Sequence, residues 1–428
     1  MHLHFVFPRW QKLLEGRPEL REALSGYEIG DFRMAGLGVA TAAGAVPAGH
    51  GVTLVDENAE LVDTSVRPDL VCLGFFTPQA TSAYAIADRF RAAGVKVLGG
   101  GIHPTMAPED ALVHCDAVVQ GPVEGLWERI LADLAAGRLE RCYRGDPAAP
   151  FARPRRDLFR RSGYLRAGIV QTARGCHLRC DFCIVPECYG RAVVLRPIAE
   201  VIEDIATLPY GCFFFGDENL LFPDAQSRAY TRELLRRMIE GGEQRDCFMA
   251  TYPHFLTAIP ESDLALMAAA RVRQIYLIMG LSHPIGEELH HSEVLTAVQR
   301  MKEHGIEVLA SFTLGHDGDV APVAPAIANF CERTRTNLAE FVLGTPFPGT
   351  ALYAALERAG RIIDRRWEHY NGAHVVFQPR GESPESLRER YVALWRWFYG
   401  PISRLAVRGR CVRGFGRGIF TPAGPTSS

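Results

Sequence analysis

The sequence predicts an α/β protein: an open parallel sheet first, then a partial (β/α)6 barrel, then a helical C-terminal region. Two observations predict it. Short apolar runs alternate with amphipathic stretches along most of the chain, and strands with no polar face separated by helices form parallel sheets covered on both sides. A segment with three prolines and three arginines, Pro147 to Arg156, divides the series in two. In the first series Leu3 to Phe7, Val52 to Val55, Leu70 to Gly74, Val95 to Leu98 and Ala117 to Val119 are predicted strands, with a helix over Ala80 to Ala93. In the second, strands are predicted near Ile169 to Thr172, Cys212 to Phe215, Phe248 to Thr251, Ile275 to Met279, Glu307 to Leu314 and Glu340 to Leu343. Pro197 opens one intervening helix, and Ser292 caps another that ends at Gly305. The expected divisions are 1–145, a linker over 146–164, a barrel over 165–380, and a terminal helix with a mobile basic tail over 381–428.

Composition narrows the function. The 428 residues carry a net charge of −2, which exerts no global pull on nucleic acid or an anionic membrane. No run approaches the roughly 18 apolar residues of a membrane span. An odd count of 11 cysteines without a secretory leader points to reduced thiols and a cytoplasmic home. The tail from Arg404 to Arg417, with five arginines and no acid, is expected to be solvated.

Ligands of open parallel sheets sit beyond the carboxyl ends of the strands. Three loops there are glycine-rich: Gly74 to Pro78, Gly99 to His103 and Gly121 to Gly125. In the second series, Cys176, Cys180 and Cys183 place three thiols directly after the first strand. Zinc or a ferredoxin-type cluster would take a fourth ligand, for which Cys188 or His177 is near in sequence. A [4Fe-4S] cluster held by three thiolates leaves one iron open for a substrate.

With this spacing, Phe182 before the last cysteine and six βα units around it, the chain resembles the radical S-adenosylmethionine (radical SAM) superfamily over residues 165 to 380. The resemblance implies that Cys176, Cys180 and Cys183 ligate the cluster, that S-adenosylmethionine is cleaved reductively, and that a 5'-deoxyadenosyl radical abstracts hydrogen from a small polar substrate. It implies that Phe182 and Phe347 lie near the adenine. Gly216, Asp217 and Glu218 stand where the methionine ammonium is received, and Ser282 where the ribose binds. Residues 69 to 125 resemble the Rossmann-like cobalamin-binding domain of one subfamily, so Thr77, Gly99, Gly100, His103, Gly121 and Glu124 are implied cobalamin contacts. An external flavodoxin- or ferredoxin-type electron donor is implied; nucleic acid and membrane partners are not.

Asn219, His254, Glu287 and His290 are candidate substrate contacts, beside Glu288 and His291. Asp317 and Asp319 fit either substrate hydroxyls or an ordinary turn. Trp395, Trp397, Phe398 and Tyr399 are expected to pack a helix on the barrel, and Cys72, Cys212 and Cys331 to sit in cores. Two outcomes divide the function. One is cobalamin-independent dehydration of a diol in an aminosugar, as in the apramycin-pathway diol dehydratase of the superfamily, a lyase of antibiotic biosynthesis. The other is cobalamin-dependent radical C-methylation. Pro122, which lacks an N–H in the third loop, and a short C-terminal region favour dehydration. RNA methylthiolation lacks a second cysteine triad, and a non-enzymatic zinc or iron–sulfur module would leave S-adenosylmethionine uncleaved.

Overall fold

The computed structural model describes residues 1–25, 35–159, 167–217, 219–319 and 323–400. Glu218 and the arginine-rich tail lie outside them, and the side chains of Asn219 and His290 are not described.

The first sheet is wholly parallel: β1 (His2–Phe7), β2 (Gly51–Asp56), β3 (Leu70–Gly74), β4 (Lys96–Gly100), β5 (Ala117–Gln120) and β6 (Cys142–Arg144), in the order β2-β1-β3-β4-β5-β6. The apolar strands are explained by burial on both faces. From β1, Leu3, Phe5 and Phe7 join one core with Trp127 and Ile130 of the helix Trp127–Ala135. Val6 joins another with Ala83, Ile86 and Phe90 of the helix Ala80–Ala92. Strand β6 was not foreseen, because its three residues bury one side chain, Tyr143, and carry no periodicity to detect.

The second sheet runs β14-β13-β12-β11-β10-β7, again parallel: β7 (Gly168–Val170), β10 (Cys212–Phe215), β11 (Asp246–Thr251), β12 (Val272–Met279), β13 (Glu307–Leu314) and β14 (Leu338–Leu343). All six match predicted strands. Between β7 and β10 a two-residue antiparallel pair, β8 (Ala173–Arg174) with β9 (Val194–Leu195), brackets the cysteine loop. Helices including Ile198–Ala206, Ala225–Glu240 and Ser292–Glu303 cover one face of this sheet, and their apolar sides form its core with Val170, Phe213, Met249, Leu277 and Phe312. Ser292 is the first helical residue rather than the cap. His291 occupies the cap, without a side-chain hydrogen bond.

The helix Pro384–Tyr399 packs against β14: Trp395 lies edge-on to Phe341 at 5.4 Å, and the Tyr399 hydroxyl donates to the Ala339 carbonyl at 2.6 Å. Phe398 is buried, whereas Trp397 is exposed. Cys72, Cys212 and Cys331 are buried, as expected. The two halves are joined at several points. Leu20 and Leu24 from the N-terminal part belong to the barrel's core. The linker's Arg155 N–H donates to the Ala40 carbonyl at 3.0 Å, so this segment lies against the first domain. Trp367 Nε1 donates to Asp110 at 2.9 Å.

Candidate functional site

The cysteine loop begins with a forced turn. Gly175 has φ +81°, and a Cβ there would stand 2.1 Å from the Ala192 carbonyl oxygen, so glycine alone fits. The Cys176 N–H donates to the Gly190 carbonyl at 3.2 Å, and the Val185 N–H donates to Cys183 Sγ at 3.4 Å. Cys176, Cys180 and Cys183 line one cavity of about 130 Å³ together with Gln171, Gly216, Asp217, Phe222 and Tyr252. This cavity sits at the carboxyl ends of β7, β10 and β11.

The donor set fits a cluster with one open iron. Three thiols share a half-exposed cavity, and Cys188 does not line it. The Cys188 side chain is buried on the helix Val185–Tyr189, where burial, then the neighbouring Cys183 and Glu187 charges, push its thiol up to about 12. Among the described residues no three His, Cys, Asp or Glu side chains converge on a single ion, as structural zinc would require. Thiolates that each hold a different iron need not converge.

The remaining expected contacts divide. Gly216 is at the cavity, and a Cβ there would strike Ile169 at 2.7 Å. The Asp217 carboxylate also lines it but accepts from Thr172, from its N–H at 2.6 Å and its hydroxyl at 2.9 Å, tying the end of β10 to that of β7. Phe182 and Phe347 are half-buried and Ser282 is exposed, none of them lining the cavity. His254 and Glu287 are exposed beyond it, and burial followed by His283 lowers the pKa of His254. Glu288 is buried and accepts the Gly280 N–H at 2.7 Å. Asp317 accepts from Arg361 at 2.6 Å, and Asp319 accepts the Ile285 N–H at 3.2 Å, so both serve as loop anchors. Gln171, Phe222 and Tyr252 line the cavity although no motif marks them. Gln171 and Tyr252 stand just beyond β7 and β11, a signal the sequence carries, whereas Phe222 follows the short helix Asn219–Leu221 and has none.

On the first domain, Gly100 leaves bare backbone at the ligand edge, where a Cβ would meet nothing closer than 4.0 Å, whereas Gly99 is buried and its would-be Cβ would stand 3.0 Å from Cys115 Sγ. Backbone of this kind fits a flat ligand. His103 does not present itself there: it is fully buried, with Nδ1 bonded to Thr77 at 3.1 Å and Nε2 within 2.9 Å of the Tyr84 hydroxyl. Thr77 is buried in the same network. Gly121, at φ +79°, packs near the Cys188 carbonyl, 3.2 Å from its would-be Cβ. Pro122 sets its carbonyl against Gly145, where any Cβ would collide at 1.7 Å. Glu124 turns away from the ligand edge to form a buried ion pair with Arg174, beside Gly175 and Cys176. The third loop thus fastens the first domain to the cluster loop, and a missing N–H at Pro122 says little about a ligand on the other two loops.

The radical SAM superfamily matches residues 170–321, and the B12 binding domain matches residues 31–131. Bacteriochlorophyllide d C-12(1)-methyltransferase of Chlorobaculum tepidum is 27% identical over 350 residues, covering 77% of this chain and 75% of that protein. Bacteriochlorophyllide d C-8(2)-methyltransferase of the same organism is 24% identical over 401 residues, covering 86% of each. The radical SAM methyltransferase TsrM from Kitasatospora setae, solved with cobalamin and a [4Fe-4S] cluster bound, has a similar fold, with a TM-score of 0.59 at 17% identity over 85% of this chain and 79% of that one. These relatives are methyltransferases by name, and the expected lyase of antibiotic biosynthesis finds no support among them. No helix among the described residues is long and apolar enough to cross a membrane. The chain thus joins a B12-binding domain to a radical SAM domain, and its cofactors are a [4Fe-4S] cluster and S-adenosylmethionine.

Proposed function

We propose that this protein is a cobalamin-dependent radical C-methyltransferase acting on a small molecule. The observation that carries the reading is the Glu124–Arg174 ion pair, which holds the third loop of the B12-binding domain against the strand leading into Cys176. Relatives that span both domains and are named methyltransferases support it. The cluster supplies the electron that cleaves S-adenosylmethionine, and a cobalamin at the neighbouring sheet edge supplies the methyl group.

The chain's own residues bind, orient and exclude. Cys176, Cys180 and Cys183 hold the cluster, with the Val185 N–H stabilising the Cys183 sulfur. Gly216, whose missing Cβ makes room for Ile169, would stand at the methionine end of S-adenosylmethionine, and Asp217 keeps that rim in register through Thr172. Glu218, Asn219, Ser282, Phe182 and Phe347 complete the proposed contacts. Gly100 would present bare backbone to a cobalamin, and His103, whose nitrogens are engaged by Thr77 and Tyr84, would stay in the core. Reducing equivalents come from an external flavodoxin- or ferredoxin-type donor.

The test is anaerobic reconstitution with iron, sulfide and hydroxocobalamin, followed by S-[methyl-¹³C]adenosylmethionine and a low-potential reductant. Retention of cobalamin through gel filtration and label in the cobalamin fraction are expected. Formation of 5'-deoxyadenosine with no cobalamin retained and no label transferred would overturn the reading.

A further inference from the structure

The two faces of the barrel sheet differ in part. Residues that face the covering helices are buried, whereas of those that alternate with them Ile169, Phe214, Ala250, Leu309 and Val342 are half-buried, and Phe248, Gln274, Ile278, Ser311 and Thr313 are buried. The concave face therefore keeps some partly accessible apolar surface below the cysteine cavity. Tyr276, Ser311 and Glu340 interrupt it.

Tyr276 on β12, Ser311 on β13 and Glu340 on β14 lie on three adjacent strands, with Ser311 directly paired to Glu340 and Tyr276 to Ala250. The Tyr276 hydroxyl donates to Glu340 Oε2 and lies 3.0 Å from Ser311 Oγ, which also donates to Oε2 at 3.3 Å. Both donors thus converge on one carboxylate oxygen. Among the described residues no hydrogen bond reaches Oε1, and Glu340 keeps partial exposure. Asp246 and Glu307, the other acids on this face, stand at the first residues of their strands and pair with Arg271 at 2.8 Å and Lys302 at 3.6 Å. Tyr252, which lines the cysteine cavity, lies two residues beyond Ala250 and so about 7 Å above Tyr276 along the strand direction.

We propose that Tyr276, Ser311 and Glu340 form the polar anchor of the substrate site, and that the substrate is a largely apolar molecule bearing an amine or hydroxyl that donates to Glu340 Oε1. This rests on the methyltransferase reading only for the presence of a small-molecule substrate. The hydroxyls orient the carboxyl group, the half-buried apolar side chains around it contact the carbon skeleton, and the height of the triad below the cysteines places the next carbons toward the cavity. Burial raises the pKa of Glu340, so its charged form is short of solvation and an incoming cation replaces what is missing. A carboxylate in the same position would meet like charge.

The test uses one apolar scaffold with three head groups, 1-adamantylamine, 1-adamantanol and 1-adamantanecarboxylate, titrated calorimetrically into the cluster-loaded full chain without cobalamin. The amine is expected to bind at least about tenfold more tightly than the carboxylate, with the alcohol between them. Glu340→Gln should abolish the preference while the cluster absorbance shows an assembled protein, and Tyr276→Phe should reduce it severalfold. If Glu340→Gln fails to assemble, Glu340→Asp, which withdraws the carboxyl by one methylene, serves the same comparison. No binding by any of the three, equal affinities, or a preference that survives both Glu340 substitutions would overturn the proposal. Because cobalamin is absent, this outcome is independent of the label-transfer experiment.

Discussion

At the residue scale, the cysteine loop depends on backbone that only glycine permits. Gly175→Ala adds a left-handed strain of about 1–2 kcal/mol to a collision with the Ala192 carbonyl. It is expected to lower the iron content of the reconstituted protein as Cys180→Ala does, though less completely; iron and sulfide analysis of the two variants checks this. A full cluster in Cys180→Ala would remove that thiol from the ligand set. Glu288 offers a titration. Burial pushes it up to about 7 from 4.5, against the opposing hydrogen bond from Gly280. The folded state therefore disfavours the charged form, so stability is full below the unfolded pKa and declines as pH rises toward 7. Glu288→Gln, which still accepts from Gly280, should gain roughly 3 kcal/mol over the wild type at about pH 8 and almost nothing at about pH 4. Denaturant unfolding at the two pH values decides it, and a pH-independent difference would mean the shift is not carried by this carboxyl.

At the scale of elements, the short β8–β9 pair has little intrinsic stability, since it comprises two residues a side. Its first strand is held from outside. Arg174 pairs with Glu124, donates to the Ala149 carbonyl at 3.2 Å, and lies 4.2 Å over the Phe151 ring. One side chain thus connects the B12-binding domain, the linker and the cysteine loop. Arg174→Met leaves Glu124 buried without its partner and is expected to cost about 3–5 kcal/mol. The double variant Arg174→Met with Glu124→Leu should recover most of that loss, because the uncompensated charge is gone. Chemical unfolding of Arg174→Met, Glu124→Leu and the double variant measures the coupling, and additive losses would show that the pair is energetically silent.

For the whole molecule, the two domains share a core as well as polar seams. Leu20 and Leu24 sit among the apolar side chains of the barrel, and the Thr81 hydroxyl donates to Glu368 at 2.6 Å on the far side. A fragment over residues 146–400 would expose the seat of both leucines and leave Arg174 unpaired. It is expected to aggregate or to elute as a polydisperse species in gel filtration, while the full chain remains monodisperse. A monodisperse fragment that assembles its cluster would show that the barrel is independent of the first domain.

The twelve parallel strands among the described residues show how far local pattern reaches. Eleven are foreseeable because their runs are dominated by apolar residues, a signal carried within a few neighbouring positions; β6 escaped because it buries only Tyr143. The cysteine spacing is likewise local, as is Gly175 before it. Other features depend on residues brought together across long stretches of chain. His103 and Glu124 look in sequence like ligand contacts, but burial pairs the first with Thr77 and Tyr84 and the second with Arg174, fifty positions away. Tyr276, Ser311 and Glu340 are unremarkable on their own strands and become one anchor through parallel register, which sets residues 29 to 64 positions apart side by side. The physical reason is that apolar periodicity is enforced by each element's own burial, whereas a polar group's role is set by whichever partner arrives to satisfy it.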